Sequence, residues 1–548
     1  MKISTLIETL KKASFTGNPE EEITGITIDS REVQEGMAFV AIKGEKDNGE
    51  DYIDKAIELG AKLIISEKSV SNDSVNWLRV NDCREALAKL SSIYTGNPST
   101  ELRMIGVTGT NGKTTISYMI HHILETVQHR AGIIGTIKSF DGVEEFVSEY
   151  TTPEAPQLNY FLRNIADNGC KSAVMEVSSH GIKQKRVAEI EFDVLAFSNL
   201  SQDHLDFHGN MDNYYKAKRQ WFVDAAERST KSKAVINIDD AWGAKLAKEF
   251  SSKLRVLTYG QGVHADYRFT NIRQSVHGSE FELQAKGKSY LVRIPQIGKF
   301  NIYNAVSAIV SAVASGISAR NAIQAMAEMK QVPGRVELVE RKMGVSVFVD
   351  YAHTPDAIEN VGKALRELDP KRIITVFGCG GDRDTSKRPH MAKAAGLVSD
   401  YCIITSDNPR SEDPLKIIAD IEAGLVGCPF KSIPDREEAI NNAISVATGG
   451  DIVLIAGKGH EDYQIFADET IPFDDRIKAR YALREFKIPN RNKVDEEDGF
   501  NKSPRPPRED RGERSDRGDR GDRENRGFRE DRSERSPRPP RQDRDSRD

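Results

Sequence analysis

The residues best suited to chemistry lie at 103–115, where an apolar run is followed by glycines, a lysine and two threonines. The glycines leave backbone N–H groups free to approach phosphate oxygens, and a helix starting here would point its positive end at the same anion. Lys113 is placed to contact the β- and γ-phosphates, and Thr114 to bind Mg²⁺. The spacing therefore predicts a nucleotide-phosphate site, although Val107 stands where the usual phosphate loop has glycine. An ordinary strand-to-helix turn is the alternative.

Two polar clusters follow later apolar runs, at 176–180 and 199–204. The carboxyl ends of parallel strands lie at one edge of a sheet, where ligands gather. Glu176 and His204 offer donors that could complete a Mg²⁺ shell begun by Thr114 and phosphate oxygens. Capping or turn roles are the alternative for each residue taken alone. Because both clusters follow one phosphate loop, the sequence predicts a magnesium site.

The elements that position these residues are predicted from apolar runs that alternate with helical patterns. Such runs occur at 131–137, 172–177, 194–198 and 234–238, which predicts a mostly parallel sheet over 103–260. Runs at 25–28, 37–42 and 61–65 predict a small α/β domain before it, and runs at 345–350, 373–377, 401–405 and 452–456 predict a further α/β domain after it. The fold class is therefore α/β with three domains, the last one Rossmann-like, and the expected segments are 1–100, 101–332, 333–490 and a tail at 491–548.

Polar loops follow the later strands of the third domain, at 378–384, 406–413 and 457–461. Together they predict a polar pocket. The glycine-rich start of the first loop lacks the full spacing of a dinucleotide site. In the first domain, Asp29-Ser30-Arg31 follows an apolar run, and it either binds a ligand's phosphates or starts a turn.

The chain of 548 residues is too long for a single core, and its charge is unevenly distributed. Residues 501–548 carry a net charge of +3 and the rest −9, and Phe528 is the only large apolar side chain of that tail. Such a composition cannot form a core, so the tail is expected to be disordered. Contact of its arginines with RNA is the alternative, which the lack of interleaved aromatic residues disfavours.

The sequence also bears on location. No apolar run is long enough to cross a bilayer, and residues 1–14 lack the layout of a signal peptide, which predicts a cytoplasmic protein without a membrane partner. The five cysteines show neither metal-ligand nor disulfide spacing, and we expect them to be reduced and structural.

Taken together, the motifs resemble those of the Mur ligases over residues 1–490. The matching patterns are Gly-Thr-Asn-Gly-Lys-Thr at 109–114, Glu-Val-Ser-Ser-His at 176–180, Asp-His-Leu-Asp-Phe-His-Gly at 203–209, Asn301 and Asn304, Pro-Gly-Arg at 333–335, and Asp-Tyr-Ala-His-Thr-Pro at 350–355. Within the family, the segments at 150–153, 214–218 and 407–410 resemble those of the branch that adds the third peptide residue as meso-diaminopimelate.

The resemblance implies an ATP-dependent amide ligase of peptidoglycan synthesis, with Mg²⁺ as cofactor and ATP as co-substrate. ATP would phosphorylate the terminal carboxylate of UDP-N-acetylmuramoyl-L-alanyl-D-glutamate, and the amine of meso-2,6-diaminopimelate would attack the acyl phosphate. A monomer is expected. The alternatives are a relative that adds L-lysine, a folylpolyglutamate synthetase, and a nucleotide-gated RNA-binding protein.

The resemblance also implies roles for individual residues. The catalytic residues would be Lys113, Lys218 and His204. The ATP-binding residues would be Gly109, Thr110, Asn111, Gly112, Lys113, Thr114, Thr115, Asn304, Arg335, Asp350 and His353. The UDP-substrate residues would be Ser30, Thr151, Thr152, Ser178, Gln184 and Arg186. The diaminopimelate residues would be Arg383, Asp407, Asn408, Arg410, Gly457 and Glu461. The metal ligands would be Thr114, Glu176, His204 and Lys218, the last as a carbamate.

Arg410 is the residue on which the choice of amino acid depends. Diaminopimelate resembles lysine with a second carboxylate at its far end, and a guanidinium can grip a carboxylate with two parallel hydrogen bonds. Arg383 is the candidate for the other carboxylate. Pairing of Arg410 with Glu412 or Asp413 on a solvated loop is the alternative.

Overall fold

A computed structural model describes residues 1–487 except 11, 45–46, 70–73, 149 and 230. Three large sheets follow one another along this part of the chain, each accompanied by helices. The α/β class with three domains is therefore confirmed. The tail that was predicted to be disordered lies outside the described residues.

The first sheet has the strand order β1-β5-β4-β3-β2, and only its β1–β5 pair is antiparallel. Its strands are β1 (Ser14–Thr16), β2 (Ile26–Thr27), β3 (Ala38–Val40), β4 (Leu63–Ser66) and β5 (Asn76–Arg79), and its helices are α1 (Ile3–Thr9), α2 (Ile53–Glu58) and α3 (Cys83–Tyr94), with short 3₁₀ turns at Ser30–Glu32, Gly49–Tyr52 and Pro98–Thr100. The sequence did not predict β1 and β5. In β5 only Trp77 and Leu78 are apolar, which is too short a run to indicate a strand.

The central sheet is built around parallel strands in the order β13-β12-β11-β6-β10-β7. Its strands are β6 (Arg103–Thr108), β7 (Ala131–Ile134), β8 (Ser139–Phe140), β9 (Glu145–Phe146), β10 (Ser172–Glu176), β11 (Val194–Phe197), β12 (Lys233–Asn237), β13 (Arg255–Gly260), β14 (Tyr267–Ser275), β15 (Gly278–Ala285) and β16 (Lys288–Ile294). Its helices are α4 (Lys113–Thr126), α5 (Ala155–Asp167), α6 (Ser179–Lys183), α7 (Leu205–His208), α8 (Met211–Arg228), α9 (Ala241–Phe250), α10 (Lys299–Ala314) and α11 (Ala319–Ala327).

Alternate residues of the central strands face opposite cores, as strand geometry requires. In β6, Ile105 and Val107 pack into a core with α4 and α10, whereas Met104 packs into the core on the other face with α5 and α8. Both faces of the sheet are thus covered. The phosphate loop leaves this sheet at the carboxyl end of β6 and enters α4 directly.

An antiparallel extension, β14–β16, was missed by the sequence reasoning. In β15 the buried Phe281 and Leu283 alternate with more exposed polar residues, so there is no continuous apolar run to signal a strand. The mostly parallel sheet is confirmed for the strands that carry the predicted clusters. It continues as antiparallel strands at both edges.

The third sheet has the order β17-β18-β22-β19-β20-β21 and is parallel except for the β17–β18 pair. Its strands are β17 (Glu337–Lys342), β18 (Val345–Asp350), β19 (Ile373–Phe377), β20 (Tyr401–Ile404), β21 (Phe430–Ser432) and β22 (Ile452–Ala456), and a separate hairpin is formed by β23 (Tyr463–Ile465) and β24 (Thr470–Pro472). Its helices are α12 (Pro355–Arg366), α13 (Lys387–Val398), α14 (Pro414–Glu422), α15 (Arg436–Ser445) and α16 (Asp475–Glu485). The predicted strands at 345–350, 373–377 and 452–456 are confirmed to the residue.

Two further expectations can be compared with the structure. All five cysteines are buried, and within the described residues none of them forms a disulfide. None of the described helices combines the length and apolar character needed to cross a bilayer.

Candidate active site

The phosphate loop turns sharply between β6 and α4. Gly112 has a φ of +88°, and a Cβ added to it would lie 2.3 Å from Oδ1 of Asn304, so this position requires glycine. The Lys113 ammonium folds back over the loop and donates to the carbonyl oxygens of Gly109 at 3.2 Å and Thr110 at 2.9 Å. Burial lowers the pKa of Lys113. The loop therefore presents a lysine beside the N-terminus of a helix, as an anion site requires.

The Glu176 carboxylate lies directly behind this loop, at the carboxyl end of β10. It is 1% exposed. It accepts hydrogen bonds from Thr114 Oγ1 at 3.0 Å, from the backbone N–H of Thr136 at 2.8 Å and from Thr136 Oγ1 at 3.2 Å. The structure thus brings Thr114 and Glu176 together. Thr136 was missed because it lies in a run that was interpreted only as a strand.

His204 lies beside the same loop and next to the carboxylate of Asp203. Its Nε2 is 3.4 Å from Asp203 Oδ2. Burial lowers the pKa of His204, the Asp203 charge opposes that shift, and the nearby charges of Lys113 and Lys218 lower the pKa further. All four side chains therefore share one electrostatic environment. Asp203 lies in a matched motif, but the sequence reasoning gave it no role.

Lys218 occupies the buried face of α8, where Tyr214, Trp221 and Phe222 also point inward. The residue is 1% exposed, and its Nζ donates to the carbonyl oxygen of Gly109 at 2.9 Å. Burial, reinforced by the Lys113 charge, lowers the pKa of Lys218 well below its ordinary value. Among the described residues, no carboxylate lies within ion-pair distance of it. Lys218 is therefore a buried amine without a bonded counter-charge.

These donors fit a Mg²⁺ ion that is held largely by phosphate. Mg²⁺ commonly uses one or two carboxylates and keeps water and phosphate oxygens as its other ligands. The Thr114 hydroxyl and the Glu176 carboxylate provide oxygen donors at the phosphate loop. Within the described chain, no group of three or more His, Cys, Asp or Glu side chains forms a metal cage. The described side chains therefore do not by themselves complete the coordination shell of a metal ion.

A cleft of about 580 Å³ opens between the central and third domains, beside the phosphate loop. The predicted ATP-binding residues that line it are Asn111, Gly112, Thr115, Asn304, Arg335 and Asp350. Asn199, from the predicted polar cluster at 199–204, also lines it, and lining residues that the sequence reasoning missed include Asn237, Lys299 and Tyr303. His353 is not among the lining residues, and its Nδ1 lies 2.7 Å from the carbonyl oxygen of Tyr351. The cleft is large enough for a nucleotide.

Arg335 links the third domain to the phosphate loop. Its Nη2 donates to Thr114 Oγ1 at 3.2 Å, and its guanidinium lies over the ring of Tyr351 at 4.9 Å. The next residue, Val336, has a φ of +47°, which is strained for a β-branched side chain. Its N–H donates to Asp350 Oδ2 at 2.7 Å, which holds the backbone in that conformation. Burial raises the pKa of Asp350 to about 6.

The predicted UDP-substrate residues form a second cluster on the other side of Glu176. Thr152 Oγ1 donates to the carbonyl oxygen of Glu176 and accepts from the N–H of Ser178. Arg186 donates to the carbonyl oxygen of Thr152 at 2.7 Å. Further members are Thr151, whose hydroxyl is hydrogen-bonded to that of Thr136, and Gln184, whose buried Oε1 has no hydrogen-bond partner in the described part of the chain. Ser30 is buried in the first domain and has no described hydrogen bond to this cluster.

The three polar loops of the third domain meet at the carboxyl edge of its sheet. Arg410 Nη1 donates to the carbonyl oxygen of Gly381 at 2.8 Å, which joins the second loop to the first. Among the described residues, Arg410 pairs with no carboxylate, because Glu412 binds Arg388 instead. Pairing with Glu412 or Asp413 is therefore not observed. Arg383 is exposed on the first loop.

The second and third loops are joined through Asn408, Glu461 and a lysine that the sequence reasoning missed. Asn408 Nδ2 donates to Glu461 Oε2 at 2.9 Å. Lys458 donates to Asn408 Oδ1 and to Glu461 Oε2. Asp407 lies close to Gly457, since a Cβ there would be 2.5 Å from Asp407 Oδ2. The predicted diaminopimelate residues of these two loops are thus brought together.

Comparisons with known proteins identify the family to which this chain is similar. The Mur ligase middle domain matches residues 107–312, the Mur ligase glutamate ligase domain 334–459, and the Mur ligase family catalytic domain 22–95. The chain is 43% identical to the UDP-N-acetylmuramoyl-L-alanyl-D-glutamate--2,6-diaminopimelate ligase of Caldanaerobacter subterraneus subsp. tengcongensis, covering 88% of this chain and 99% of the relative. It is 43% identical to the ligase of the same name from Bacillus licheniformis, covering 89% and 100%. A solved structure of a ligase with that name matches with a TM-score of 0.65 and 33% identity, covering 88% and 99%.

Proposed function

This chain belongs to the Mur ligase family, and we propose that it uses ATP to join meso-2,6-diaminopimelate to UDP-N-acetylmuramoyl-L-alanyl-D-glutamate in cytoplasmic peptidoglycan synthesis. The observation that carries the proposal is the hydrogen bond from Arg335 to Thr114, because it holds the third domain against the phosphate loop, beside the cleft that lies between the two domains. A ligase needs this arrangement, since one substrate must be phosphorylated and then attacked by another. The domain segments 1–100, 101–332 and 333–490 would bind the UDP substrate, ATP and the amino acid, respectively.

The first chemical step is transfer of the γ-phosphoryl group to the terminal carboxylate of the UDP-linked dipeptide. The attacking carboxylate and the phosphates are both anionic, so the protein must neutralise charge and hold the groups in line. Lys113 and the N–H groups of the phosphate loop supply fixed positive charge. Thr114, Glu176 and His204 would hold Mg²⁺, which would supply further charge neutralisation at the phosphates. The amine of the amino acid then attacks the acyl carbon, the amide bond forms and phosphate leaves.

Lys218 is proposed to act as a carbamate. Burial lowers the pKa of Lys218 well below its ordinary value, which favours the neutral amine, the form that can attack carbon dioxide. The new N–C bond and the loss of one proton convert the side chain into an anion. That change places a negative charge beside Lys113 and His204, where the unmodified chain has a buried amine without a counter-charge. It would also supply the proposed metal site with oxygen ligands beyond those of Thr114 and Glu176.

Selection of the UDP substrate is assigned to the cluster around Arg186. Its guanidinium is held by the carbonyl oxygen of Thr152 and by Glu154 at 2.6 Å. The buried Nε of Arg186 has no hydrogen-bond partner within the described chain. An acidic group of the substrate would satisfy that donor. Gln184, with its unpartnered oxygen, is the adjacent candidate for a substrate N–H group.

The choice of amino acid is assigned to Arg410, whose guanidinium contacts only carbonyl oxygens among the described residues. A substrate carboxylate would supply its missing counter-charge. We expect phosphate release from ATP to be faster with meso-diaminopimelate than with L-lysine by roughly 10⁴-fold in kcat/KM, because a site built for a carboxylate rejects the analogue that lacks it. Arg410→Ala should lose most of the activity with diaminopimelate, whereas Arg484→Ala, at an exposed arginine of the same domain, should retain it.

The assay needs purified chain, UDP-N-acetylmuramoyl dipeptide, ATP and each amino acid in turn. Comparable kcat/KM values for diaminopimelate and lysine in the wild type would assign the chain to the lysine-adding alternative. Glutamate-dependent phosphate release with a folate substrate, and none with the UDP-linked dipeptide, would support the folylpolyglutamate alternative.

A further inference from the structure

Lys458 is a fully buried lysine where the second and third polar loops of the third domain meet. It is 0% exposed. Its neighbours Gly457 and Gly459 have φ values of +116° and +57°, and this backbone turns the lysine side chain inward. The Nζ donates to Asn408 Oδ1 at 3.0 Å and to Glu461 Oε2 at 2.9 Å, and it lies 5.3 Å from the ring centre of Tyr463.

Most of the polar atoms around Lys458 are hydrogen-bonded to other groups of the protein. Asn408 Oδ1 also accepts from the N–H of Ile465 at 3.0 Å, and its Nδ2 donates to Glu461. Glu461 Oε2 is thus bonded twice, whereas Oε1 has no hydrogen bond among the described residues. The Glu461 side chain remains 14% exposed. One carboxylate oxygen is therefore fixed and the other is available.

A purely structural role does not explain this arrangement well. A buried ion pair is weak evidence for stability, because a well-packed apolar residue of similar size often stabilises a protein as much or more. A fully hydrogen-bonded polar network does fix side-chain orientation. Recognition of a tetrahedral carbon centre requires such fixed orientation, because stereoisomers differ only in where their ammonium and carboxylate groups point.

We propose that Lys458 is a positioning residue for amino-acid recognition. It holds Oε2 of Glu461 so that Oε1 remains available to accept from an ammonium group of the amino acid, and it sets the discrimination between stereoisomers. This inference rests on the proposed function, since it needs a diaminopimelate substrate with two stereocentres.

The test is Lys458→Met, which removes the ammonium and keeps an unbranched side chain. We expect kcat/KM for meso-diaminopimelate to fall by at least about tenfold, the scale of a lost hydrogen bond to a charged group. The ratio of kcat/KM between the meso and LL isomers should fall with it. The KM values for ATP and for the UDP-linked dipeptide should remain those of the wild type. Lys342→Met is the matched control, because Lys342 donates to carbonyl oxygens of Leu483 and Arg484 on α16.

A double-mutant cycle separates positioning from a loss of fold. If Lys458 acts through Glu461, Lys458→Met should have little further effect on kcat/KM in a Glu461→Gln background. Additive losses, or an unchanged isomer ratio in Lys458→Met with wild-type KM for ATP, would overturn the inference. A general loss of fold would raise the KM for ATP and lower the melting temperature, and would also count against it. Failure of the wild type to use any diaminopimelate isomer would instead reject the proposed function.

Discussion

At the scale of single residues, the proposed chemistry depends on a few side chains whose pKa values are shifted by burial. Lys218 and Lys113 lie near one another at the phosphate loop, and burial lowers the pKa of both. Two ammonium groups so placed repel each other and any bound cation. The proposed conversion of Lys218 into a carbamate would remove that repulsion, whereas protonation of the unmodified amine would restore it.

The proposed carbamate on Lys218 predicts that added carboxylates rescue the activity of a variant that lacks this lysine. Lys218→Ala should be nearly inactive, because the site then lacks the anion, and short carboxylates such as acetate should restore part of the activity by occupying the vacated space. Lys216→Ala is the matched control, since Lys216 is exposed on the same helix. Phosphate release measured against acetate concentration tests this. A fully active enzyme with an unmodified Lys218 by intact mass, after removal of bicarbonate, would rule out the carbamate.

His460 predicts a specific pH dependence of stability. Burial, with the nearby charge of Arg335, lowers the pKa of His460 to about 4, whereas an unfolded histidine has a pKa of about 6.5. Between these values the unfolded chain binds more protons, so the free energy of unfolding should fall as the pH decreases from 6.5 to 4. His460→Asn should show a flatter profile in urea titrations across this range. The exposed His277→Asn should keep the wild-type profile, and identical profiles for wild type and His460→Asn would contradict the expectation.

The sequence could predict residues whose role follows from type and local spacing, such as Lys113 and Glu176. It assigned no role to Thr136 or Lys458, although they lie in the apolar run at 131–137 and the polar loop at 457–461. A threonine in an apolar run and a lysine between glycines carry no local signal of function, and only the fold places their polar atoms against Glu176 and Glu461. Long-range hydrogen bonds of this kind have no counterpart in local spacing.

At the scale of elements, a buried ion pair fixes the strand ends that carry the amino-acid loops. Arg436, at the start of α15, pairs with Asp475, at the start of α16, and both side chains are fully buried. The guanidinium also donates to the carbonyl oxygens of Ser406, the first residue of the second polar loop, and of Ala456, which immediately precedes the third. One side chain thus holds two helices and two loops in register.

Breaking this pair should be costly. Arg436→Met leaves the Asp475 carboxylate buried without its partner, and we expect a loss of roughly 3–5 kcal/mol in the free energy of unfolding. The double variant Arg436→Met/Asp475→Leu should lose less, because no orphaned charge remains. Arg293→Met, which breaks the exposed pair of Arg293 with Glu280, should cost about 0–1 kcal/mol. Denaturant titration measures all three, and equal losses for the single and double variants would refute the orphaned-charge explanation.

Element prediction succeeded where the strands are buried on both faces. Such strands read as continuous apolar runs, as at 373–377 and 452–456, and they carry the loops of the site. It failed for β14–β16, whose buried residues alternate with polar ones. The missed strands lie away from the predicted phosphate cluster, so the site could still be predicted without them.

At the scale of the whole molecule, the site depends on contacts between segments far apart in sequence. Arg335 and Thr114 are separated by 221 positions, yet they are hydrogen-bonded. Local patterns can predict that each segment carries a polar cluster at a strand end. They cannot predict which clusters meet, because that depends on how the third domain packs against the central one. Arg335 could be predicted as a nucleotide-binding residue only from the family resemblance.

The segment 501–548 provides the prediction at this scale. It lies outside the described residues, and its composition, with Phe528 as the only large apolar side chain and a net charge of +3, offers no apolar surface with which to pack. Removing residues 501–548 should therefore leave kcat, the three KM values and the melting temperature unchanged. Retention of RNA by the isolated segment, lost as salt is raised, would support the RNA-binding alternative for the tail. A substantial drop in melting temperature or activity on truncation would mean that the segment docks on the body of the enzyme.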